Sequence, residues 1–294
     1  MEENTMEHFE KNNLWQYRKK NIIGVAFFTA VFCSGFFIHG NTGMYLNLSG
    51  FIIVIGGTLC AALLSYPVER LFILFKVLVS SYGKPVRSPD SIISVLVDLS
   101  VKRRVKGILS LQDEEEETTI VFLRQAIGLL VDDHSPDEVR ESLNAEMYFF
   151  RMRRDETIRV LQTMADVAPA FGLVGSVVGL ISMLSGVGDS AVIMATVPIA
   201  LTSTLYGIIL ANLFFIPFAA NIRERTVQEL MLQKIITEGV AAIAEDLHPR
   251  KLDRKLKSYL TPAARSDEVI SLAKLKEKFE SKETAPLEEA EESV

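Results

Sequence analysis

The chain has 294 residues, 49% of them hydrophobic and 23% charged, and a formal net charge of −6 at pH 7. This composition fits a membrane protein with a large polar part; the modest charge and the lack of a basic, aromatic-rich module argue against a nucleic-acid partner. The only cysteines, Cys33 and Cys60, both fall in apolar stretches, which excludes a disulfide framework and reads as two buried hydrophobic thiols.

Residues 1–21 read as a cytoplasmic segment ahead of the first span. Arg18-Lys19-Lys20 before an apolar run imitates a secretion signal, but Glu2, Glu3, Glu7 and Glu10 make the segment mixed in sign. No small-x-small cleavage site follows Ile38, so the run reads as an uncleaved helix. The uncharged stretch from Asn21 to Val68 is too long for one helix and divides at His39-Gly40-Asn41-Thr42-Gly43. Spans Ile22–Ile38 and Leu48–Leu64 therefore form a predicted hairpin over residues 22–64.

Residues 65–166 read as a helical cytoplasmic insert. Pro67 to Lys76 is expected to be an amphipathic helix leaving the membrane. Ser88-Pro89-Asp90 supplies an N-cap with proline at the first helical position, opening a helix through about Val105. Ser135 and Glu138 have capping-box spacing, and the helix they open is expected to run, with short breaks, from Asp137 to Asp166. Between these lies Gln112 to Thr119, with Asp113 and four consecutive glutamates. The basic run Lys102-Arg103-Arg104-Val105-Lys106 and the acidic run Asp113–Glu117 read as solvated faces or as an electrostatic docking surface.

Residues 167–222 hold two more spans. No Asp, Glu, Lys or Arg occurs from Val167 to Gly188, nor between Asp189 and Arg223. Each stretch can cross a hydrocarbon core of about 30 Å at about 1.5 Å per residue. The first carries Ala168-Pro169, Gly172, Gly175, Ser176 and Gly179; the second carries Thr202-Ser203-Thr204 and Pro217. Small residues allow close helix approach. A hydroxyl here either bonds a carbonyl one turn back or lines a cation path. Singly, each favours the first reading; with the face Ala168, Gly172, Ser176 they point to function. Pro169 and Pro217 are inert kinks or hinges.

A helix from Arg223 to about Leu247 leaves the fourth span, within helices expected over 223–262. The charged tail 263–294 is expected to be disordered. No strand alternation survives, so the fold class is all-α, a polytopic membrane protein with four transmembrane helices and a helical cytoplasmic domain. Lys and Arg flank the spans on one side, at Arg70, Lys76, Arg151, Arg153, Arg154, Arg223 and Arg225, while the hairpin tips 39–47 and 187–191 carry none. The positive-inside rule then puts both termini and the insert in the cytoplasm.

An enzymatic site finds no support. The four histidines are scattered, and Gly83-Lys84 lacks the glycines of a phosphate cradle. No span carries an interior carboxylate, the natural proton carrier in a membrane. If ions move, another chain must supply it.

Ala168 to Leu180 resembles the third-span signature of flagellar stator A-subunits of the MotA/PomA type. Ala200-Leu201-Thr202-Ser203-Thr204-Leu205-Tyr206-Gly207, with Ala211-Asn212 and Pro217, resembles the fourth; Ile55-Gly56-Gly57-Thr58 with Pro67 resembles the second, and Lys102 to Leu111 a cytoplasmic element. The likeness covers roughly Ile22 to Leu260. It implies a multi-pass subunit of the bacterial inner membrane, a homo-oligomeric ring (a pentamer) among membrane lipids around a dimer of a MotB/PomB-like B-subunit that supplies the membrane aspartate. No cofactor is implied beyond H⁺ or Na⁺ as the transported ion, and the ring would turn a flagellar rotor (switch-complex) protein.

By position, the resemblance implies that Ser176 and Thr204, with Ser203 beside them, line the ion path. Pro169 and Pro217 take the mechanistic prolines, and Gly172, Gly175, Gly179 and Gly207 the helix contacts. Arg104, with Arg103 and Lys106, takes the basic rotor contact. Ser176 stands where sodium-type members carry Thr, which weakens sodium use. Gln112 stands where the family often has Glu, so either Asp113 substitutes or the contact differs. Pro198 replaces a small apolar residue and is expected to kink the start of the fourth span. Competing readings are an ExbB/TolQ-like or gliding-type motor subunit, which the extra hairpin at 22–64 disfavours for the three-span ExbB/TolQ layout, and a scaffold without ion flux.

Overall fold

The computed structural model describes residues 24, 27–35, 38, 45–83, 88–112, 114, 118, 120–185 and 190–260. Part of the first predicted span, the tip at 39–43, Asp113 and the tail 263–294 lie outside them. The described elements are helical, with no strand among the described residues. We number the helices α1 (Leu48–Ser65), α2 (Val68–Gly83), α3 (Pro89–Lys106), α4 (Val121–Val131), α5 (Pro136–Ser185), α6 (Ser190–Ile209), α7 (Ile216–Ala244) and α8 (Pro249–Lys257). A 3₁₀ turn (Ile108–Leu111) follows α3, and a π segment (Leu210–Phe215) joins α6 to α7. Among the described residues, three helical stretches are long and apolar enough to cross a membrane: Leu48–Ser65, Pro136–Ser185 and Thr196–Ala244.

The chain forms two compact units: residues 1–85 with 155–223, and residues 86–154 with 224–294. In the first, Asn47 caps α1 by accepting from the Gly50 amide at 3.1 Å, as asparagine does at an N-cap. The buried residues of α1 are Gly50, Val54, Thr58 and Ala62, one row spaced by fours. Its other faces stay apolar and uncovered, as a lipid-facing helix requires. Beside it, α2 buries Leu74 against Ile158, Leu161, Met164 and Ile222. Leu74 is buried on α2, while the exposed side of the helix mixes Glu69 and Lys76 with Phe72 and Phe75, which are 73% and 69% exposed. Cys33 and Cys60 are exposed rather than buried; on α1 the buried row is taken by Gly50, Val54, Thr58 and Ala62, and Cys60 lies off it.

The second unit has an ordinary side-chain core. Ile92, Ile93, Leu96 and Val97 of α3 meet Phe122, Leu123, Ile127 and Leu130 of α4, Leu143 of α5, Ile235, Ile236 and Val240 of α7, and Leu252 and Leu256 of α8. Both predicted caps form. The Ser88 hydroxyl accepts from the Ser91 amide at 3.3 Å; Ser135 Oγ accepts from the Glu138 amide at 3.3 Å while Glu138 Oε2 accepts from the Ser135 amide at 2.8 Å. The Ser135 amide and hydroxyl together hold the Glu138 carboxyl below its ordinary pKa. The helix opened at Ser135 has no breaks, and α5 is continuous for 50 residues.

Candidate functional site

In the first unit, three helices meet where side chains are smallest. A Cβ added at Gly50 of α1 would lie 2.5 Å from Ser203 Oγ of α6, and one at Gly175 of α5 would lie 2.7 Å from Ser203 Cβ. At Gly172 the added carbon would meet the Ser203 carbonyl at 3.0 Å, at Gly179 the Ala200 amide at 2.6 Å, and at Gly207 the Ala168 carbonyl at 2.5 Å. The last three distances are to backbone, which cannot swing aside. Of the four glycines expected as helix contacts, Gly172, Gly179 and Gly207 therefore hold α5 and α6 at backbone contact, while Gly175 makes room for the Ser203 side chain.

This proximity brings hydroxyls onto the neighbouring backbone. Ser176 Oγ lies 2.5 Å from Thr204 Oγ1, bonds the Ala200 carbonyl, and lies 3.2 Å from the Gly172 carbonyl one turn back. Thr204 Oγ1 reaches the same Gly172 carbonyl at 3.4 Å, across the helix interface. Four oxygens thus share two hydroxyl protons, leaving a surplus of lone pairs in an uncharged, half-buried setting. Ser203 is placed differently. It is fully buried, gives its proton to the Ile199 carbonyl at 2.6 Å, and fills the gap between Gly50 and Gly175. Thr202 likewise bonds the Pro198 carbonyl at 2.6 Å.

The prolines frame the pair. Pro169 lies within continuous α5 and removes one helical hydrogen bond there; Gly207 packs onto this point, its added carbon 3.0 Å from Pro169 Cα. Pro198 lies within α6, which runs on through it. Pro217 follows the π segment, in which the Ile216 amide bonds the Ala211 carbonyl five residues back. A one-residue register shift just before a proline bypasses the missing N–H. Asn212, inside this segment, donates to the Ile208 carbonyl at 3.0 Å. In the last turn of α6, just before the π segment, Tyr206 accepts from the Asn47 amide at 2.8 Å and donates to the Tyr45 carbonyl, tying α6 to the start of α1. Composition showed neither the π segment nor this tie; Asn212, five residues before Pro217, was the available signal for the first.

The basic cluster sits in the second unit. Arg104 is ion-paired with Asp246, Nε donating to Oδ1 at 3.1 Å and Nη2 to the Asp246 carbonyl at 2.6 Å. Arg103 is half-buried, and its Nη1 has no hydrogen-bond partner among the described residues. Lys106 and Gln112 are exposed, and Asp113 lies outside the described residues. Of the acidic run, Glu114 turns back to Lys102 at 3.0 Å. A cavity of about 610 Å³ is lined by Arg103, Arg104, Gly107, Ile108, Asp133 and Asp246. The sequence reading missed Asp133 and Asp246, because each stands at a helix end whose signal is the proline that follows a few residues on.

Comparison with known proteins places these features. The family model of the MotA/TolQ/ExbB proton channel family matches residues 114–235. The chemotaxis protein PomA of Vibrio alginolyticus is 33% identical over 232 residues, covering 79% of this chain and 91% of the relative. The MotAB structure of C. jejuni superposes with a TM-score of 0.77 at 25% identity, covering 85% of this chain and 99% of that one. The flagellar MotAB stator complex from Bacillus subtilis, at 22% identity and a TM-score of 0.75, shares the fold over 82% of this chain and 96% of that one.

Proposed function

The chain belongs to the MotA/TolQ/ExbB proton channel family, and we propose that it is the A-subunit of a flagellar stator, a membrane protein that couples ion flow to torque and is not an enzyme. The observation that carries the mechanism is the Ser176–Thr204 pair, 2.5 Å apart over the carbonyls of Gly172 and Ala200. Surplus lone pairs in a low-dielectric helix contact favour a passing cation, and hydroxyls both accept a proton and hand it on. No carboxylate stands in these spans, so the acid that shuttles the charge comes from a B-subunit. The solved relatives, complexes of MotA with MotB, support such a partner.

The further parts of the proposal are a bacterial inner-membrane location with both termini cytoplasmic, a pentameric ring, H⁺ or Na⁺ as the ion, and an acidic rotor surface met by Arg104 with Arg103 and Lys106. Pro169 and the π segment before Pro217 are the points at which α5 and the α6–α7 helix flex during each ion step. Ser203 supports the path by packing rather than by lining it.

Thr204→Val, expressed in cells lacking other stator genes, tests the path. The expected result is an assembled complex and cells that keep flagella but do not swim; normal swimming would contradict the reading. Dependence of wild-type swimming on external Na⁺ names the ion. Arg104→Glu tests the rotor contact: torque falls while conductance through an unplugged complex stays unchanged.

A further inference from the structure

Helices α4 and α7 end in the same way. The His134 amide bonds the Leu129 carbonyl at 3.1 Å and the Asp133 amide the Leu130 carbonyl at 3.1 Å; the Leu247 amide bonds the Ala242 carbonyl at 2.9 Å and the Asp246 amide the Ile243 carbonyl at 2.9 Å. This double pattern closes a helix on one left-handed residue, a position usually given to glycine because it has no Cβ. Here aspartate holds it twice, at φ 59° in Asp133 and 54° in Asp246. Both line the cavity that holds Arg103 and Arg104.

Asp246 grips Arg104 at two points, with its carboxylate on Nε at 3.1 Å and its own carbonyl on Nη2 at 2.6 Å. Next to it, Glu245 is held by Arg140, so the turn is anchored on both sides. The pair is too exposed to serve stability, since the Asp246 side chain is 67% open to solvent and such pairs contribute little to folding. Glycine would serve the turn better. What the carboxylate adds is orientation, because a guanidinium held along one edge presents the other edge in a fixed plane.

We propose that Asp246 is a positioning residue for Arg104, fixing its Nε/Nη2 edge so that the Nη1 edge meets an acidic group of the rotor. The proposal rests on the reading of Arg104 as a rotor contact. The test uses the full chain in cells without other stator genes, carrying Asp246→Glu, Asp246→Asn, Asp246→Gly, Arg104→Ala, or Arg104→Ala with Asp246→Gly. Torque is read from bead rotation, and thermal stability from the purified complex.

The two roles give opposite rank orders. A residue kept for its turn ranks Gly and Asn at or above Asp, with Glu last. A residue kept for Arg104 ranks Glu above both Asn and Gly. The expected torque of Asp246→Asn and Asp246→Gly is lower by roughly two- to fivefold, the size of a lost charge-assisted bond, with melting temperature unchanged or raised. Asp246→Glu recovers torque, and Asp246→Gly adds nothing in the Arg104→Ala background. Unchanged or raised torque in Asp246→Asn and Asp246→Gly, or an additive loss in the double variant, overturns the positioning role alone. Full torque in Arg104→Ala overturns the rotor-contact reading and the positioning role with it.

Discussion

The two units of this chain solve helix packing in opposite ways. In residues 1–85 and 155–223, helices meet where side chains are missing: Gly172, Gly179 and Gly207 bring backbone against backbone, and Ser176 and Thr204 bond carbonyls across the contact. In residues 86–154 and 224–294, helices meet through bulk, with Leu96, Leu123, Ile127, Leu143 and Ile236 filling one core. Lipid gives helices no hydrophobic reason to associate, so the first unit depends on close fit and hydrogen bonds, whereas the second gains from removing apolar surface from water. The lesson is that the same substitution has very different consequences in the two places, and that the hydroxyls proposed to line the ion path come with the close fit.

The sharpest way to break this comparison is a single methyl group. Gly207→Ala places a carbon 2.5 Å from the Ala168 carbonyl, on backbone that has no rotamer to yield, so α5 and α6 should separate and assembled complex should be lost from size-exclusion profiles. Recovery of normal complex from this variant would show that the close fit is dispensable. The reverse change breaks the second unit. Leu96→Ala, at a fully buried site, should cost about 2–5 kcal/mol in thermal or denaturant unfolding.

A smaller effect comes from charge. Burial raises the Glu238 carboxyl pKa, but hydrogen bonds from Lys234 at 3.0 Å and Lys255 at 3.2 Å outweigh it, and the net shift is downward. A carboxyl lowered on folding stabilises above its unfolded pKa, about 4.3, and loses that contribution as pH falls through the folded value. Glu238→Gln should therefore melt earlier than wild type at pH 7, with the gap closing towards pH 3. A gap that stays constant would remove the charge explanation. The smallest effect is Gly239→Ala. Its added carbon would lie 2.6 Å from Leu96 Cδ1, the movable end of a side chain, and helix propensity favours alanine by up to about 1 kcal/mol. Its melting temperature should match wild type closely, in contrast to Gly207→Ala.

Local signals in the sequence were read well. Ser88 and Ser135 cap the helices they were expected to cap, since a cap depends on a few neighbouring residues. The spans at 48–64 and beyond 167 follow from charge-free length. One local signal was missed, and the rest of what failed depends on contacts between distant residues. Val121–Val131 carries Phe122, Leu123, Ala126, Ile127 and Leu130 on one face, a helical period that lies in the sequence itself directly after the acidic run. Ser203 and Thr204 are neighbours in sequence, but successive helical positions turn by about 100°, so only the packed structure shows that Thr204 reaches Ser176 while Ser203 faces Gly50 and Gly175. Left-handed aspartates leave no periodic trace at all, and the pairing of Asp246 with Arg104 joins positions 142 residues apart in the chain.

The central claim is that the hydroxyl pair, rather than the glycine packing around it, carries the ion. It is tested most directly by ion conductance through an unplugged complex carrying Thr204→Ser or Thr204→Val. The account predicts that both assemble, that Thr204→Ser conducts, and that Thr204→Val does not, because it keeps the shape and removes the oxygen 2.5 Å from Ser176. Equal conductance in the two variants would contradict it.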